Sequence, residues 1–533
     1  MLRVLVSDSL SDEGLAILQR AAGLQTDYRP GIDPDELRRI LPEYDGLIIR
    51  SGTKVTADVL SVASRLRVVG RAGIGVDNVD LAAATERGVI VMNTPEGNAV
   101  TTAEHAISLL TSLARRIPQA TASMRAGRWE KSKFSGMELF DRVLGVVGLG
   151  NIGSIVADRA RGLRMRVIAF DPVVSEERAQ RLGVDLVSLD ELLRRADAIS
   201  LHVPLTKDTR GLIGRNAFAK MKPGVLVINA ARGGIVDEAA LLEALESGQC
   251  GGAALDVFEQ EPPPADHPLL RRDDVVLTPH LGAATEQAQL NVAKAIAEQV
   301  AAYLVDGVIR NAVNMPSVSA DELAELGPFI TLGEKLGLFQ GQVPEDVAEI
   351  DIEYAGEIAQ LNLQPVTIAI LRGLLLPWLG ESVNYVNAPI LAQRRGIRVI
   401  ESKAAEPEDF VSLISVRVRD KSGREHLVCG TIFGRTQPRI VRVDNFRFEA
   451  IPEGATLLVR NFDQPGVVGR VGTLLGNAAV NIARMQLGLD PQTGKALQVL
   501  SVDGNLDDVL LAALRGLPGI ESVKLLDLGR RVS

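Results

Sequence analysis

Short, predominantly apolar runs alternate with longer amphipathic stretches through the first part of the chain. Residues 2–6, 46–49, 66–70 and 89–92 have the composition of buried strands, whereas 12–22 spaces its apolar residues three and four apart, as a helix with one buried stripe does. Strands alternating with helices predict a parallel sheet covered on both faces. A long helix is predicted over 101–116, with Thr101 and Glu104 at capping-box spacing. A second series follows, with strands at 143–147, 167–170, 198–201, 225–229, 252–255 and 275–277, then a helix over 286–303. The order of the two long helices suggests that they link two lobes across a cleft.

Beyond Asn311 the pattern changes. Pro316, Ser317 and Ser319 read as a linker. Strand-like alternation at 349–354, 411–418 and 427–433, with a helix over 366–376, predicts a mixed α+β module. The last part of the chain predicts strand 456–460, helix 467–478, strands 481–489 and 496–502, helix 506–515 and strand 523–528, the βαββαβ order of a ferredoxin-like unit.

Composition adds boundaries to this picture. A chain of 533 residues is too long for one compact domain. Aromatic residues make up only 4%, so aliphatic side chains must fill the cores. The formal charge of -9 argues against non-specific coating of nucleic acid or anionic membrane. Cys250 and Cys429 lack a CxxC neighbour or a metal-like spacing with histidine and read as reduced thiols, so no metal site is expected. No basic start or cleavage site marks a signal peptide, and no apolar stretch is long enough for a membrane span, so the expected location is the cytoplasm.

The strand at 143–147 runs into Gly148-Leu149-Gly150-Asn151-Ile152-Gly153. In a G-x-G-x-x-G turn the first glycine permits the tight bend, the second lets backbone approach a pyrophosphate, and the third lets helix and strand pack closely. Asp171 ends the next strand, where a carboxylate accepts from ribose hydroxyls and repels a 2′-phosphate, so NAD is expected rather than NADP. An NAD-linked oxidation of a hydroxy acid, were that the reaction, would also need a cation for the carboxylate, a base for the hydroxyl proton and a group to tune that base. Three later strand ends offer Arg232, His280 and Glu261 for these roles. His202 also follows a strand and competes for the proton role, but is placed in the lining of the cofactor pocket. His105 lies within a helix, His267 in a proline-rich loop and His426 in the distant C-terminal half. Each of the three chosen residues has a plainer reading by itself: a surface ion pair, a solvated loop, a core histidine.

Together, Gly148–Gly153, Asn229-Ala230-Ala231-Arg232-Gly233-Gly234, Glu261-Pro262-Pro263 and Pro279-His280 resemble the D-isomer-specific 2-hydroxyacid dehydrogenase family. The resemblance implies two Rossmann-like lobes: a substrate lobe over 1–99 with a return segment 283–312, and an inserted NAD lobe over 100–282. It implies that Pro204, Thr209, Ala230, Ala231, Asp256, Gly282 and Ala283 join the glycine turn, Asp171, His202, Arg232 and His280 around the cofactor. The segments around Ile48–Val55, Val69–Asn78 and Asn93–Asn98 are similar to the branch acting on D-3-phosphoglycerate. That implies substrate contacts from Arg50, Ser51, Gly52, Gly75 and Asn98, and from Lys131 or Lys133 reaching a neighbouring subunit's site. The tail over 453–533 resembles an ACT domain, which implies L-serine as effector, held by Asp463 and Asn481. The module over 313–452 resembles the intervening domain of long-form members, and its Arg435, Arg439, Arg442 and Arg447 raise the idea of a second anion site. The family implies a homo-oligomer, a tetramer. Rival readings are a dehydrogenase of an unphosphorylated acid, with side reduction of 2-oxoglutarate, and an NAD-binding regulatory protein on the same fold.

Overall fold

The computed structural model describes residues 1–316 and 320–529, so Ser317 and Ser319 of the expected linker lie outside the described residues. Strands β1 (Leu2–Val6), β2 (Leu24–Tyr28), β3 (Gly46–Ile49), β4 (Val68–Arg71) and β5 (Ile90–Met92) form one sheet in the order β2-β1-β3-β4-β5. The pairs recorded for β1 with β2 and β3, and for β3 with β4, are parallel. Strand β2 was not anticipated: Leu24 is its one buried residue, so Leu-Gln-Thr-Asp-Tyr carries no apolar signal.

A second sheet comprises β6 (Val143–Val147), β7 (Arg166–Phe170), β8 (Asp185–Leu186), β9 (Ala198–Leu201), β10 (Val225–Asn229), β11 (Cys250–Leu255) and β12 (Val275–Leu277). The order β12-β11-β10-β9-β6-β7-β8 reverses direction at β6, which pairs in parallel with both β7 and β9. Ligands of such sheets bind beyond the carboxyl ends of the strands, at this reversal. Two separate apolar layers cover it, one with Val147, Ile199 and Val227, the other with Val146, Ala169 and Ile228.

The helix Ala99–Ala114 starts two residues ahead of Thr101, and Asn98 caps it without a side-chain bond. The Asn98 carbonyl already accepts from Thr102 N, so Thr101 lies inside the first turn and the Thr101–Glu104 capping box does not form. Helix Glu286–Asp306 is capped by Thr285, whose side chain accepts from Ala288 N.

Two compact units emerge: Met1–Val55, Val62–Val79 and Met92–Asn311 form the first, and Thr56–Ser61, Asp80–Val91 and the chain from Ala312 onward the second. In the second unit, β13 (Glu349–Gly356), β14 (Arg398–Ala404), β15 (Ser412–Arg419), β16 (Glu425–Phe433), β17 (Gln437–Val443) and β18 (Phe446–Ala450) form a mixed sheet ordered β14-β13-β15-β16-β17-β18. Helices Ala320–Gln342 and Gln364–Leu379 pack on it. The C-terminal sheet, β19 (Ala455–Phe462), β20 (Asn481–Asp490), β21 (Lys495–Asp503) and β22 (Ile520–Asp527), runs β20-β21-β19-β22 and is antiparallel throughout. With helices Val467–Asn477 and Asp508–Arg515 it realises the expected βαββαβ order. Among the described residues no helix is long and apolar enough to cross a membrane.

Candidate active site

Strand β6 delivers the glycine turn to the sheet's carboxyl edge. Gly148 has φ +93°, and a Cβ there would press to 2.6 Å from the His202 carbonyl oxygen. A Cβ on Gly153 would collide with the Gly148 carbonyl, whereas one on Gly150 would meet no heavy atom within 4 Å. The first and third glycines thus serve the fold, and the second leaves an open backbone face. Helix Asn151–Gly162 starts here with Gly150 as N-cap, and no side chain takes up its first N–H groups. Asp171 follows β7; Oδ2 accepts from Leu149 N at 2.8 Å, and Oδ1 accepts from Val173 N and Val174 N. Free helix N–H groups, open backbone and a carboxylate one strand away match the needs of a pyrophosphate and a ribose diol. The residues present therefore fit NAD.

Other residues expected to line the cofactor follow β9 and β10. Thr209 Oγ1 donates to the Pro204 carbonyl at 2.6 Å, closing one tight loop after β9. His202 Nε2 lies 2.8 Å from Ser200 Oγ, and its Nδ1 is buried without a partner. Burial pushes this imidazole down to about 4, which holds it neutral and unfit as the proton relay. Ala230 is buried behind the loop that follows β10.

That loop is pinned by Asn229, which accepts from Ala231 N at 3.1 Å and donates to the Arg232 carbonyl at 2.8 Å. Arg232 is directed to the first sheet's loops. Its Nε donates to Asp77 Oδ2 at 2.7 Å, its Nη1 to the Ala231 carbonyl at 2.6 Å, and its guanidinium lies over Gly75, where any Cβ would collide with it. Arg71, at the end of β4, shares this neighbourhood. Its Nε is buried without a partner, and burial together with the Arg232 charge pushes the guanidinium down to about 10. A half-buried guanidinium with an unpaired Nε suits an anionic ligand. No spacing rule marks Arg71 in the sequence, so its role emerges only from the fold. Asn98 is 7% exposed, and its Oδ1 also lacks a partner.

His280 follows β12 in the left-handed region, at φ +55°. Its Nδ1 lies 2.7 Å from Glu261 Oε2, and Glu261 Oε1 accepts from Phe258 N at 3.1 Å. The Glu261 hydrogen bond raises the His280 pKa above the usual imidazole range, against partial burial. Burial pushes the Glu261 carboxyl upward, but the bonds from His280 and Phe258 outweigh it and hold it below its ordinary value. Asp256 is 1% exposed; Oδ1 accepts from Leu281 N at 2.7 Å and Oδ2 from Gly282 N at 2.8 Å. Burial opposes its charge, but the donors around it keep it ionised. Asp256 therefore shapes the His280 loop directly.

The substrate-side residues are only partly gathered. Asp8 Oδ2 accepts from Arg50 N at 2.6 Å and from Thr53 N at 3.1 Å, and a Cβ on Gly52 would lie 2.7 Å from Asp8 Oδ1, so Asp8 shapes the Arg50-Ser51-Gly52 loop. Arg50 Nη1 donates to Ser9 Oγ at 3.2 Å. Lys133, on the short turn Lys131–Phe134, pairs with Glu130 at 2.6 Å. In the second unit, Asp463 and Asn481 are both exposed, and Asn481 opens the edge strand β20. Arg442 and Arg447 both pair with Glu408, at 3.0 and 2.9 Å, which favours a paired strand face over a waiting anion site.

Comparison with known proteins agrees with this geometry. Residues 107–282 match the family model described as D-isomer specific 2-hydroxyacid dehydrogenase, NAD binding domain, and residues 325–444 match the D-3-phosphoglycerate dehydrogenase intervening domain. The chain is 44% identical to the D-3-phosphoglycerate dehydrogenase of Archaeoglobus fulgidus, covering 97% of this chain and 98% of that one. It is 43% identical to the enzyme of that name from Bacillus subtilis, over 99% of this chain and 100% of the other. Among solved structures, the TT0316 protein from Thermus thermophilus superposes with a TM-score of 0.54 at 37% identity, over 58% of this chain and all of that one. A D-lactate dehydrogenase from Aquifex aeolicus, complexed with NAD and lactic acid, gives 0.52 at 29% identity, over 59% of this chain and all of its own. With a glycine turn fit for NAD, a histidine–glutamate pair at the carboxyl end of the same sheet and full-length relatives of one kind, the chain belongs to the D-3-phosphoglycerate dehydrogenase family, in the long form that carries the intervening domain.

Proposed function

We propose that the chain oxidises D-3-phosphoglycerate at C2 to 3-phosphohydroxypyruvate, the entry reaction of the phosphorylated route to L-serine. The observation that carries this is the His280–Glu261 pair, 2.7 Å apart, on the same sheet edge as the glycine turn. Bound NAD supplies the acceptor for the hydride leaving C2. Arg232 holds the substrate carboxylate, since a guanidinium presents parallel donors to it. His280 accepts the hydroxyl proton at Nε2, while Glu261 fixes the tautomer by accepting the hydrogen bond that Nδ1–H donates. Arg71, Arg50, Ser51, Gly52, Gly75 and Asn98 form the pocket for the rest of the substrate, with half-buried Arg71 supplying positive charge for the phosphate. Glycine turn, Asp171, Pro204, Thr209, Ala230, Ala231, Asp256, Gly282 and Ala283 surround the dinucleotide.

The remaining expectations form one consistent reading. The chain assembles as a homotetramer in the cytoplasm, and Lys131 or Lys133 reaches the neighbouring subunit's substrate. The domains run 1–99 with 283–312, 100–282, 313–452 and 453–533. L-serine binds the last of them through Asp463 and Asn481, between paired copies, and the position of β20 at the end of its sheet supports pairing there.

NADH formation over a panel of D-2-hydroxy acids tests the reading. Losing two charge-assisted bonds of about 1.5–3 kcal/mol each predicts a preference for D-3-phosphoglycerate over D-lactate of at least about 100-fold in kcat/KM. Equal rates on both acids would refute the phosphorylated substrate, and no NADH from any acid would refute the enzyme reading.

A further inference from the structure

We infer that His105 is a positioning residue for the proton-relay loop, acting through Asp256 on the backbone that carries His280. This rests on the reading of His280 as the proton relay. His105 lies on helix Ala99–Ala114, outside every motif of the site, and its side chain is 18% exposed. Its Nε2 is 3.1 Å from Asp256 Oδ1 and 3.2 Å from Thr278 Oγ1. Thr278 in turn donates to Asp256 Oδ1 at 2.6 Å.

Asp256 sits directly after β11 and grips the relay loop from both sides. Its carbonyl accepts from His280 N at 2.9 Å, and its carboxylate accepts from Leu281 N and Gly282 N. His280 N also donates to the Thr278 carbonyl at 3.0 Å, so Asp256 and Thr278, both bonded to His105, together hold its left-handed backbone. A non-glycine residue in that region is strained, so the conformation depends on the bonds that hold it. A carboxylate that is 1% exposed stays a full acceptor only if donors surround it. Three of them are one hydroxyl and two backbone N–H groups. His105 is the ring donor, and because an ionised carboxylate can only accept, the hydrogen must reside on Nε2. Without it the carboxylate relaxes its hold on Leu281 and Gly282, and the His280 imidazole loses its fixed direction. Arg232 is pinned separately, by Asn229 and Asp77, so substrate affinity does not depend on this network.

The test uses the full chain with His105→Leu, His105→Gln and Thr278→Val, reading kcat, KM for D-3-phosphoglycerate, NAD affinity and Tm. Misplacing the relay predicts a fall in kcat of about 10- to 100-fold for leucine, with KM within about twofold. Glutamine can place an N–H where Nε2 stands, and should recover most of the loss. A residue that merely fills space predicts that leucine serves as well as glutamine, and that order would overturn the inference. If the leucine variant does not fold, the isosteric Thr278→Val removes another donor from the same carboxylate. A lowered kcat there, at unchanged KM, supports the network; an unchanged kcat contradicts it. Wild-type inactivity on every acid would instead sink the functional reading.

Discussion

Arg232 Nε donates to Asp77 Oδ2 at 2.7 Å, and its Nη1 donates to the Ala231 carbonyl, which leaves Nη2, lying over Gly75, as the free end of the guanidinium. The arginine is therefore aimed by two other residues before any substrate arrives. Replacing it by lysine keeps the charge and loses the fork. Arg232→Lys should lower kcat/KM for D-3-phosphoglycerate by about 10- to 150-fold, the worth of one charge-assisted hydrogen bond of about 1.5–3 kcal/mol. Steady-state kinetics on the purified variant checks this, and NAD affinity should change little.

The His280–Glu261 pair sets a pH dependence with a definite sign. His280 has its folded-state pKa raised by Glu261, so oxidation, which needs neutral imidazole, acquires an acidic limb above the ordinary imidazole value. Glu261→Gln removes the charge, and that limb in the kcat/KM profile should move to lower pH. A limb that stays in place would contradict the assignment. Stability follows the same linkage. The His280 contribution is complete below the ordinary 6.5 and is lost as pH rises through the folded value; the Glu261 contribution is complete above 4.5 and is lost as pH falls through its lowered value. The pair thus supports the fold most between those two ordinary values, and weakly, since both side chains are more than a third exposed.

The glycine turn separates binding from folding. In Gly150→Ala the new methyl meets no atom of the chain, so Tm should hold while NAD binding weakens by about tenfold or more, because the methyl stands where the pyrophosphate approaches. In Gly153→Ala the methyl runs into the Gly148 backbone, so Tm and NAD binding should fall together. Thermal melts with and without NAD distinguish the two.

Most of the first unit was legible because its strands are buried runs and its ligand loops carry recognisable residues. The helix Ala320–Gln342 was not. Its Gly327, Pro328, Gly333, Gly337 and Gly341 read as breakers. Three of these glycines recur every four residues and form a seam against helix Gln364–Leu379, where a Cβ on Gly337 would collide with the Ile370 carbonyl and one on Gly341 with that of Leu374. Close helix approach, a tertiary fact, overrides propensity there. His105 was set aside for a related reason: its place in a helix was plain, but that the helix runs beneath the His280 loop was not. The Asp8 grip on the Arg50 loop and the half-buried Arg71 also depend on strand order rather than on spacing.

The helix seam carries its own prediction. Alanine should favour an isolated helix over glycine by about 1 kcal/mol. Overpacking costs about 1–3 kcal/mol, so Gly337→Ala should be destabilising on balance. Denaturant melts of the second unit's transition check the sign; a stabilised variant would show that the two helices separate easily.

The most direct test of the chemistry is the single replacement His280→Asn, measured as kcat for NADH formation from D-3-phosphoglycerate beside the NAD dissociation constant. With His280 as proton relay, kcat should fall by about 100- to 10,000-fold while the dissociation constant stays within about twofold. A variant that keeps kcat within about tenfold of the unmodified enzyme, with NAD bound as before, would mean that another group moves the proton.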